Sequence, residues 1–266
     1  MTERELLRTT FDGAALLYDE VRPGYPEALF DDVVSLSGIP PEGSVLEIGC
    51  GTGQATAPLA RRGYRILCVE IGENLAAVAR RNLAEYPLAE VRTGDFEYCP
   101  VPEGAFDLAV SATAFHWLDP ARAYPKTNRA LRPGGAIALF WNEHVHTDAS
   151  KGFFEAAQRI YEREAPEIVG PDDHRGLPRP YEVPDRRGEI EGSGLFGDVK
   201  TRSYLWEQAY DAEGYTRLLS TYSGHRSLDN TSRIRLFRGI SGLIERGYGG
   251  RIVKGYLSTL YVARRL

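Results

Sequence analysis

A chain of 266 residues with 42% hydrophobic and 26% charged residues has the composition of a folded domain with insertions, which excludes a disordered or fibrous protein. The formal net charge of −5 and the isoelectric point near 5.7 disfavour contact with a phosphate backbone, so we expect no nucleic-acid partner. A charged start without an apolar leader, no run of about 18 apolar residues, and three cysteines without disulfide or zinc spacing predict a cytoplasmic protein outside the membrane.

The N-terminal segment predicts a helical cap. Residues 11–37 have a helical pattern that is interrupted between Pro23 and Pro26. Proline ends helices because it lacks a backbone donor and clashes with the preceding turn. We therefore expect residues 1–40 to form helices that cover the open edge of a binding site.

Short apolar runs alternate with helical segments in the next part of the chain. The predicted strands are residues 44–48, 65–70, 90–93, 106–111 and 136–142. Between them, residues 73–85 place an apolar stripe on one face of a helix. Alternation of strand and helix at this spacing predicts right-handed crossovers and a doubly wound, mostly parallel α/β sheet.

The pattern changes after Asn142. Residues 165–194 are rich in proline, glycine and charged residues, which predicts a long loop or lid that is mobile without ligands. Alternating patterns return at 199–206 and 252–262, separated by helical stretches near 211–222 and 231–246, and this order predicts an antiparallel strand pair around a helical insertion. We expect four segments: a cap at 1–40, a core at 41–142, a helix and lid at 143–197, and two strands with a substrate-side insertion at 198–266.

The turn after the first predicted strand indicates a ligand-binding site. Gly49, Gly51 and Gly53 follow the strand directly, and residues 54–62 have a helical pattern. Such a turn lets a ligand approach bare backbone at a helix N-terminus. A dinucleotide fingerprint would need a small residue at position 54, where Gln54 stands, and this weakens the alternative of an NAD-linked oxidoreductase.

Acidic residues lie at the ends of the first three strands. Glu47 is a carboxylate in an otherwise apolar strand, where an unpaired charge is costly, so it needs a cationic or hydrogen-bonding partner. Glu70 ends the second strand at a distance from Gly53 that suits hydrogen bonds to both hydroxyls of a ribose. Asp95 and Phe96 follow the third strand and offer an acceptor for an adenine amino group and an apolar ring for its face.

These motifs, in this order, resemble those of class I S-adenosylmethionine (SAM)-dependent methyltransferases. The resemblance rests on residues 45–53, Glu70, residues 94–96, residues 106–108 and residues 131–135, and covers about residues 44–142. It implies a Rossmann-like sheet of seven strands with the last strand antiparallel, helical insertions and SAM as the cofactor. It also implies that Glu47 lies near the methionine amino group, Gly49, Gly51 and Gly53 along the methionine moiety, Glu70 at the ribose and Asp95 at the adenine. We expect the cofactor-binding set to be completed by Tyr18, Arg22, Ile71, Phe96 and Ser111.

Two further motifs resemble a small-molecule branch of that family that includes trans-aconitate methyltransferases. They are Tyr18-Asp19 with residues 22–26, and residues 114–119. This resemblance implies methyl transfer to a small molecule, with oxygen, as carboxylate or hydroxyl, as the acceptor atom. Residues 111–114 read Ser-Ala-Thr-Ala in place of the Asn/Asp-Pro-Pro-aromatic run of enzymes that methylate amino groups of bases, which disfavours that chemistry.

His116 is the candidate catalytic residue, either as a base for a hydroxyl acceptor or as a positioning group. Its neighbours Phe115 and Trp117 are expected to shape the substrate side or to pack in the core. Tyr222 and Arg226 end a predicted helix and are the other substrate-side candidates. A noncatalytic SAM-binding module remains an alternative, and the oligomeric state is left open.

We expect no metal site. His144 and His146 follow the fifth strand, and Asp172, Asp173 and His174 lie in the predicted lid. Their spacing matches no established ligand motif, which favours solvated loop residues.

Overall fold

A computed structural model describes residues 12–170 and 176–266. Seven strands form one sheet with the order β3-β2-β1-β4-β5-β7-β6. The strands are β1 Ser44–Ile48, β2 Arg65–Glu70, β3 Ala89–Thr93, β4 Phe106–Ala112, β5 Leu131–Val145, β6 Phe196–Asp211 and β7 Arg251–Arg265.

Ten α-helices occur within the described residues. They are α1 Ala15–Val21, α2 Glu27–Ser37, α3 Thr56–Arg61, α4 Glu73–Asn82, α5 Pro120–Ala130, α6 Phe153–Glu164, α7 Arg187–Gly192, α8 Ala212–Leu219, α9 Ser223–Ser227 and α10 Asn230–Gly247. No helix in this part of the chain combines the length and the apolar character that a membrane span requires.

The strand pairing confirms the predicted fold class. The pairs β1–β2, β2–β3, β1–β4 and β4–β5 are parallel, whereas β7 runs antiparallel to both of its neighbours, β5 and β6. The chain therefore forms a doubly wound sheet of seven strands whose last strand in sequence is antiparallel. Because β1 pairs with β2 on one side and with β4 on the other, a crevice forms at the carboxyl ends of these strands, where open α/β sheets bind ligands.

Three apolar clusters hold the helices against the sheet. On one face α2 and α3 bury Phe30 and Leu59 against β1, β4 and β5. On the other face α5 and α7 pack with the opposite side of the same strands, and Ile190 of α7 is 1% exposed. A third cluster joins α6, α8 and α10 to β7 around Phe153 and Tyr256, and this cluster carries the helical insertion beyond the end of the sheet.

The segment predicted as a lid is more structured than expected. Within residues 165–194 it contains the 3-10 turns Pro166–Ile168 and Pro180–Glu182 and the helix α7. The helix was missed because six residues with one buried side chain, Ile190, are too short to show a periodic apolar stripe. Residues 171–175 of the lid and residues 1–11 of the cap lie outside the described residues.

Candidate active site

A cavity of about 370 Å³ opens at the carboxyl ends of β1, β2 and β4. The turn after β1, the end of β2, the segment after β3 and residues 112–114 and 116–118 form its floor and sides. Tyr18 and Arg22 from the cap and Tyr222 from the insertion form the remaining wall. The crevice predicted by the strand order is therefore a deep site that elements from distant parts of the chain close.

The glycine turn brings bare backbone to this cavity. Gly49 and Gly51 line it with φ angles of +71° and +57°, a region that favours glycine. A Cβ on Gly49 would lie 2.6 Å from the Cβ of Ala114, so no larger residue fits without a backbone shift. Gly53 does not line the cavity. Its amide donates to the Cys50 carbonyl, and a Cβ there would lie 3.4 Å from the Leu83 side chain, so Gly53 shapes the turn and its packing.

Glu70 holds the turn and the start of α4 at the cavity. Its Oε2 accepts the Gly51 N–H at 2.8 Å and its Oε1 accepts the Gly72 N–H at 2.9 Å. Burial raises the pKa of this carboxyl above its ordinary value, and the two N–H groups oppose that shift. Each carboxylate oxygen accepts more than one hydrogen bond, so Glu70 retains capacity for hydroxyl groups of a ligand.

Glu47 is completely buried and is not part of the cavity wall. Its Oε2 lies 4.0 Å from the Cys68 Sγ, and Thr56 at the start of α3 hydrogen bonds to the carboxyl. Its Oε1 has no partner within the described residues. Burial raises the pKa of Glu47 to about 7. Oε1 is therefore a buried acceptor without a donor from the described residues. The carboxyl does not reach the cavity surface, so a ligand in the cavity would not contact it directly.

The segment after β3 forms the far end of the cavity. Asp95 and Phe96 line it together with Ile71. Asp95 Oδ1 accepts the Glu97 N–H at 3.0 Å, and Phe96 is 4% exposed. This end therefore combines apolar surface with one carboxylate, which suits a flat, amino-bearing heterocycle.

Arg22 joins the cap to the insertion. Its Nε and Nη2 donate to the side-chain and carbonyl oxygens of Thr221 at 2.8 and 2.9 Å. The guanidinium carbon lies 4.3 Å from the ring centroid of Tyr222 and 5.0 Å from that of Tyr18. Gln54 donates from Nε2 to the Arg22 carbonyl at 2.9 Å, so the residue that breaks the dinucleotide pattern anchors the cap to the glycine turn.

The comparisons with known proteins agree with this architecture. A family model described as a methyltransferase domain matches residues 46–139, which include the glycine turn and the strand-end carboxylates. An uncharacterized methyltransferase of Mycobacterium tuberculosis is 29% identical over 245 residues, which cover 88% of this chain and 93% of that relative. The protein is a class I SAM-dependent methyltransferase.

Two other proteins show how far the similarity extends. The malonyl-[acyl-carrier protein] O-methyltransferase of Geobacter sulfurreducens is 33% identical to the methyltransferase over 148 residues, 53% of this chain and 55% of that enzyme. A solved structure of Haemonchus contortus phosphoethanolamine N-methyltransferase 2 in complex with SAM has a TM-score of 0.57 and 15% identity. That alignment covers 100% of this chain and 60% of the longer enzyme, and it shows the shared fold.

His116 of the methyltransferase lines the cavity of about 370 Å³, which is called the SAM-side cavity below because we propose that it binds SAM, and His116 is held by a residue that the sequence did not indicate. The indole Nε1 of Trp141 donates to His116 Nδ1 at 3.0 Å. Because an indole N–H only donates, Nδ1 carries the lone pair and the neutral ring carries its proton on Nε2. Trp117 also lines the cavity. Phe115 does not; it is 5% exposed and packs against Tyr124, which corresponds to the core-packing alternative rather than to a substrate-side position.

Two other predicted site residues have structural positions instead. Ser111 is completely buried, and its Oγ donates to the Ile48 carbonyl at 2.8 Å, which ties β4 to β1 rather than lining the cavity. Arg226 is not among the residues that line the cavity; its guanidinium lies against Gly13. Tyr222 precedes α9 with extended backbone and is not part of the helix, so its spacing from Arg226 does not place the two side chains on one helical face.

Several residues of the site were missed. Asn142 and His144 extend from the carboxyl end of β5 into the cavity. Their position at a strand end was the feature of the sequence that could have predicted this. The Tyr222 hydroxyl lies 3.2 Å from His144 Nε2 and accepts a hydrogen bond from Lys254 Nζ at 3.0 Å. Lys254 is a single lysine within the apolar run of β7. That isolated charge was the feature of the sequence that could have predicted its position near the site.

Within the described residues, no group of three or more His, Cys, Asp or Glu side chains is arranged to hold a metal ion. His146 Nε2 lies 3.7 Å from Glu155 Oε1. The loop residues Asp172, Asp173 and His174 lie outside the described residues.

Proposed function

We propose that this methyltransferase transfers the methyl group of SAM to an oxygen atom of a small molecule. The observation that carries the proposal is the closure of the cavity by Arg22 and Thr221, which join the cap to the insertion across the carboxyl edge of the sheet. A site covered from both sides admits a compact acceptor more readily than a polymer. The net charge of −5 also opposes a nucleic-acid acceptor.

The lining residues suit the parts of SAM. The Gly49–Gly51 backbone would contact the methionine moiety, and Glu70 would accept hydrogen bonds from the ribose hydroxyls. Asp95 would accept from the adenine amino group, with Ile71 and Phe96 against its ring. Tyr18 and the Arg22 segment would close the methionine end. Glu47 does not reach the cavity surface, so it would favour the SAM amino group through its charge rather than by direct contact.

Bound SAM supplies an electrophilic methyl carbon on a sulfonium, so the protein has to align the acceptor and exclude water. His116 is suited to the positioning role, because its Nδ1 is engaged by Trp141 and its Nε2–H is a donor. A base role would need the opposite tautomer, in which two N–H groups would face each other. A carboxylate acceptor is already ionised near pH 7 and needs no base, whereas a hydroxyl gains from proton removal.

These observations favour a carboxylate as the acceptor oxygen. The trans-aconitate-like motifs around Tyr18 and His116 support the same assignment, as does similarity to an O-methyltransferase. We place residues 1–40 as the cap, 41–142 as the SAM-binding core, 143–197 as the helix and lid, and 198–266 as the acceptor side. The three free thiols support a reducing cytoplasm.

Binding and turnover together test the proposal. We expect S-adenosylhomocysteine (SAH) and SAM to bind with micromolar affinity in calorimetry, and NADH to give no heat of binding. Isotope-labelled SAM, incubated with panels of small carboxylates, alcohols, phenols and amines, should label a methyl ester in mass spectrometry. RNA and an unrelated protein serve as macromolecular controls. Labelling of either control in preference to the small molecules, or a methylamine product, would contradict transfer to a small-molecule oxygen. A methyl ether product would contradict only the carboxylate assignment.

A further inference from the structure

A second cavity of about 280 Å³ adjoins the SAM-side cavity. His144 and Tyr222 line both cavities, so these two side chains form the boundary between them. Helices α6, α8 and α9 and strand β7 supply most of the remaining wall. The apolar part of that wall includes Phe154, Ala157, Ile168 and Leu219.

Lys254 contributes its amino group to this wall although it is 2% exposed. Its Nζ lies 5.7, 5.1 and 5.6 Å from the ring centroids of Tyr215, Tyr222 and Tyr256. Among the described residues, no carboxylate lies within ion-pair distance of this nitrogen. Burial, together with the nearby Arg22 charge, holds the pKa of Lys254 well below its ordinary range. The ammonium form is therefore costly without a counterion, and a ligand that brings negative charge would stabilise it.

The other polar groups of the cavity add a donor and no negative charge. Gln158 Nε2 is buried and has no hydrogen-bond acceptor within the described residues. Tyr161 Oη and His225 Nε2 bond to each other at 2.8 Å, and burial lowers the pKa of His225 to about 4, so this ring is neutral near pH 7. No Asp or Glu occurs among the described residues that line the cavity. An ammonium and an unpaired amide donor suit the oxygens of a carboxylate.

We propose that the second cavity is the acceptor site and that it binds a small organic acid through an anchoring carboxylate beside Lys254 and Gln158, which is distinct from the group that receives the methyl. This assignment rests on the proposed methyltransferase function. One ammonium offsets one negative charge, whereas a phosphate dianion would leave a buried charge uncompensated. The aromatic and aliphatic wall accommodates an apolar body. A molecule anchored here reaches the SAM-side cavity past His144 and Tyr222, and Lys254 holds the acceptor without taking part in the methyl transfer.

Calorimetry on the full chain saturated with SAH tests this site. Phenylacetate is the anionic probe and phenylacetamide is its uncharged analogue. We expect phenylacetate to bind at least about tenfold more tightly, because a charge-assisted hydrogen bond is stronger than a neutral one. Lys254→Met should weaken phenylacetate binding by about 10- to 100-fold and leave SAH affinity unchanged, because methionine keeps the volume and removes the charge. Lys200→Met, on a half-exposed lysine of β6, is the matched control and should behave as the wild type.

Each other outcome has a defined meaning. Equal phenylacetate affinity in wild type and Lys254→Met would overturn the role of Lys254, and a preference for phenylacetamide would overturn the charge assignment. If SAH binds but phenylacetate, benzoate and hexanoate all fail at millimolar concentration, the carboxylate site is wrong while the methyltransferase function stands. Failure of SAH itself to bind the folded wild type would contradict the proposed function first. Should Lys254→Met not fold, Gln158→Leu decides, with an expected loss of about threefold to tenfold.

Discussion

Trp141 fixes the tautomer of His116 by donating its indole N–H to Nδ1 across 3.0 Å. Trp141→Phe removes this donor and frees the imidazole to invert its donor and acceptor nitrogens. We expect kcat/KM to fall by less than about tenfold, the value of one hydrogen bond. Steady-state kinetics with the acceptor found by screening measure this change. Trp206→Phe is the matched control, because Trp206 donates its indole N–H to Ser258 and lines neither cavity.

His116→Ala distinguishes the two roles of the histidine. If His116 only positions the acceptor, the His116→Ala variant should have a nearly flat pH–rate profile above about pH 6, because a carboxylate acceptor stays ionised there. A base role predicts a loss of turnover of about 10²–10⁴-fold together with the disappearance of one limb of the profile. That second result would favour a hydroxyl over a carboxylate as the acceptor group.

Glu70→Ala should weaken SAM and SAH binding by about 1–3 kcal/mol through the loss of charge-assisted hydrogen bonds to the ribose. The variant also frees the N–H groups of Gly51 and Gly72, so thermal unfolding has to be recorded beside calorimetry. Glu73→Ala, an exposed glutamate three residues later, controls for general charge and should keep wild-type affinity. A folded Glu70→Ala variant with unchanged affinity would remove Glu70 from the SAM site.

Gly49→Ala tests the close approach of the glycine turn to Ala114. Gly49 and Gly63 both have positive φ angles, +71° and +85°, but a Cβ on Gly63 meets no atom within 4 Å. Both alanine variants therefore carry backbone strain, and Gly49→Ala adds a steric clash of about 1–3 kcal/mol. We expect Gly49→Ala to lose more stability in urea and to lose SAH binding, while Gly63→Ala binds SAH normally. Equal behaviour of the two variants would contradict the role of the turn.

Glu47 predicts a pH dependence of stability. Its pKa is about 7 in the folded protein, above the ordinary value of 4.5, so the fold favours the protonated form. The contribution of Glu47 to the free energy of unfolding is fully present below pH 4.5. It is lost as the pH rises through 7, by about 3 kcal/mol in total. Glu47→Gln should flatten this part of the unfolding free energy between pH 5 and 8. Bound SAM should favour the carboxylate, so wild-type affinity should rise with pH over the same range.

Most of the sheet could be predicted from the sequence because its strands are short apolar runs bounded by turn residues. The predicted bounds of β1 and β2 match the structure, whereas β5 begins at Leu131 because the Phe106–Leu131 pairing extends the ladder through a proline and two glycines. The positions of Gly49, Gly51, Glu70 and Asp95 at the cavity were predictable for the same reason, since residues at strand ends keep a fixed relation to the crevice. Their contacts with SAM stay a prediction.

The residues of the proposed acceptor site could not be predicted from the sequence as well as those of the SAM-side cavity. Lys254, Gln158 and Trp141 come from three separate elements, and their relation depends on tertiary packing that no local pattern encodes. Ser111 does not line the cavity because successive side chains of β4 point to opposite faces of the sheet. Arg22 was placed correctly at the cavity, but its bonds to Thr221, 199 residues away, could not be foreseen.

Strand β7 follows β5 and β6 in the chain and yet lies between them in the sheet. During translation, β6 therefore leaves the ribosome before its only strand partner in the sheet exists, and the motifs at residues 45–135 are complete long before Lys254 is added. The residues of the SAM-side cavity that follow β1, β2 and β3 are thus synthesised early, whereas Lys254 of the second cavity is synthesised with the final strand. If the second cavity is the acceptor site, as proposed above, the residue that anchors the acceptor is therefore the last part of the site to be synthesised.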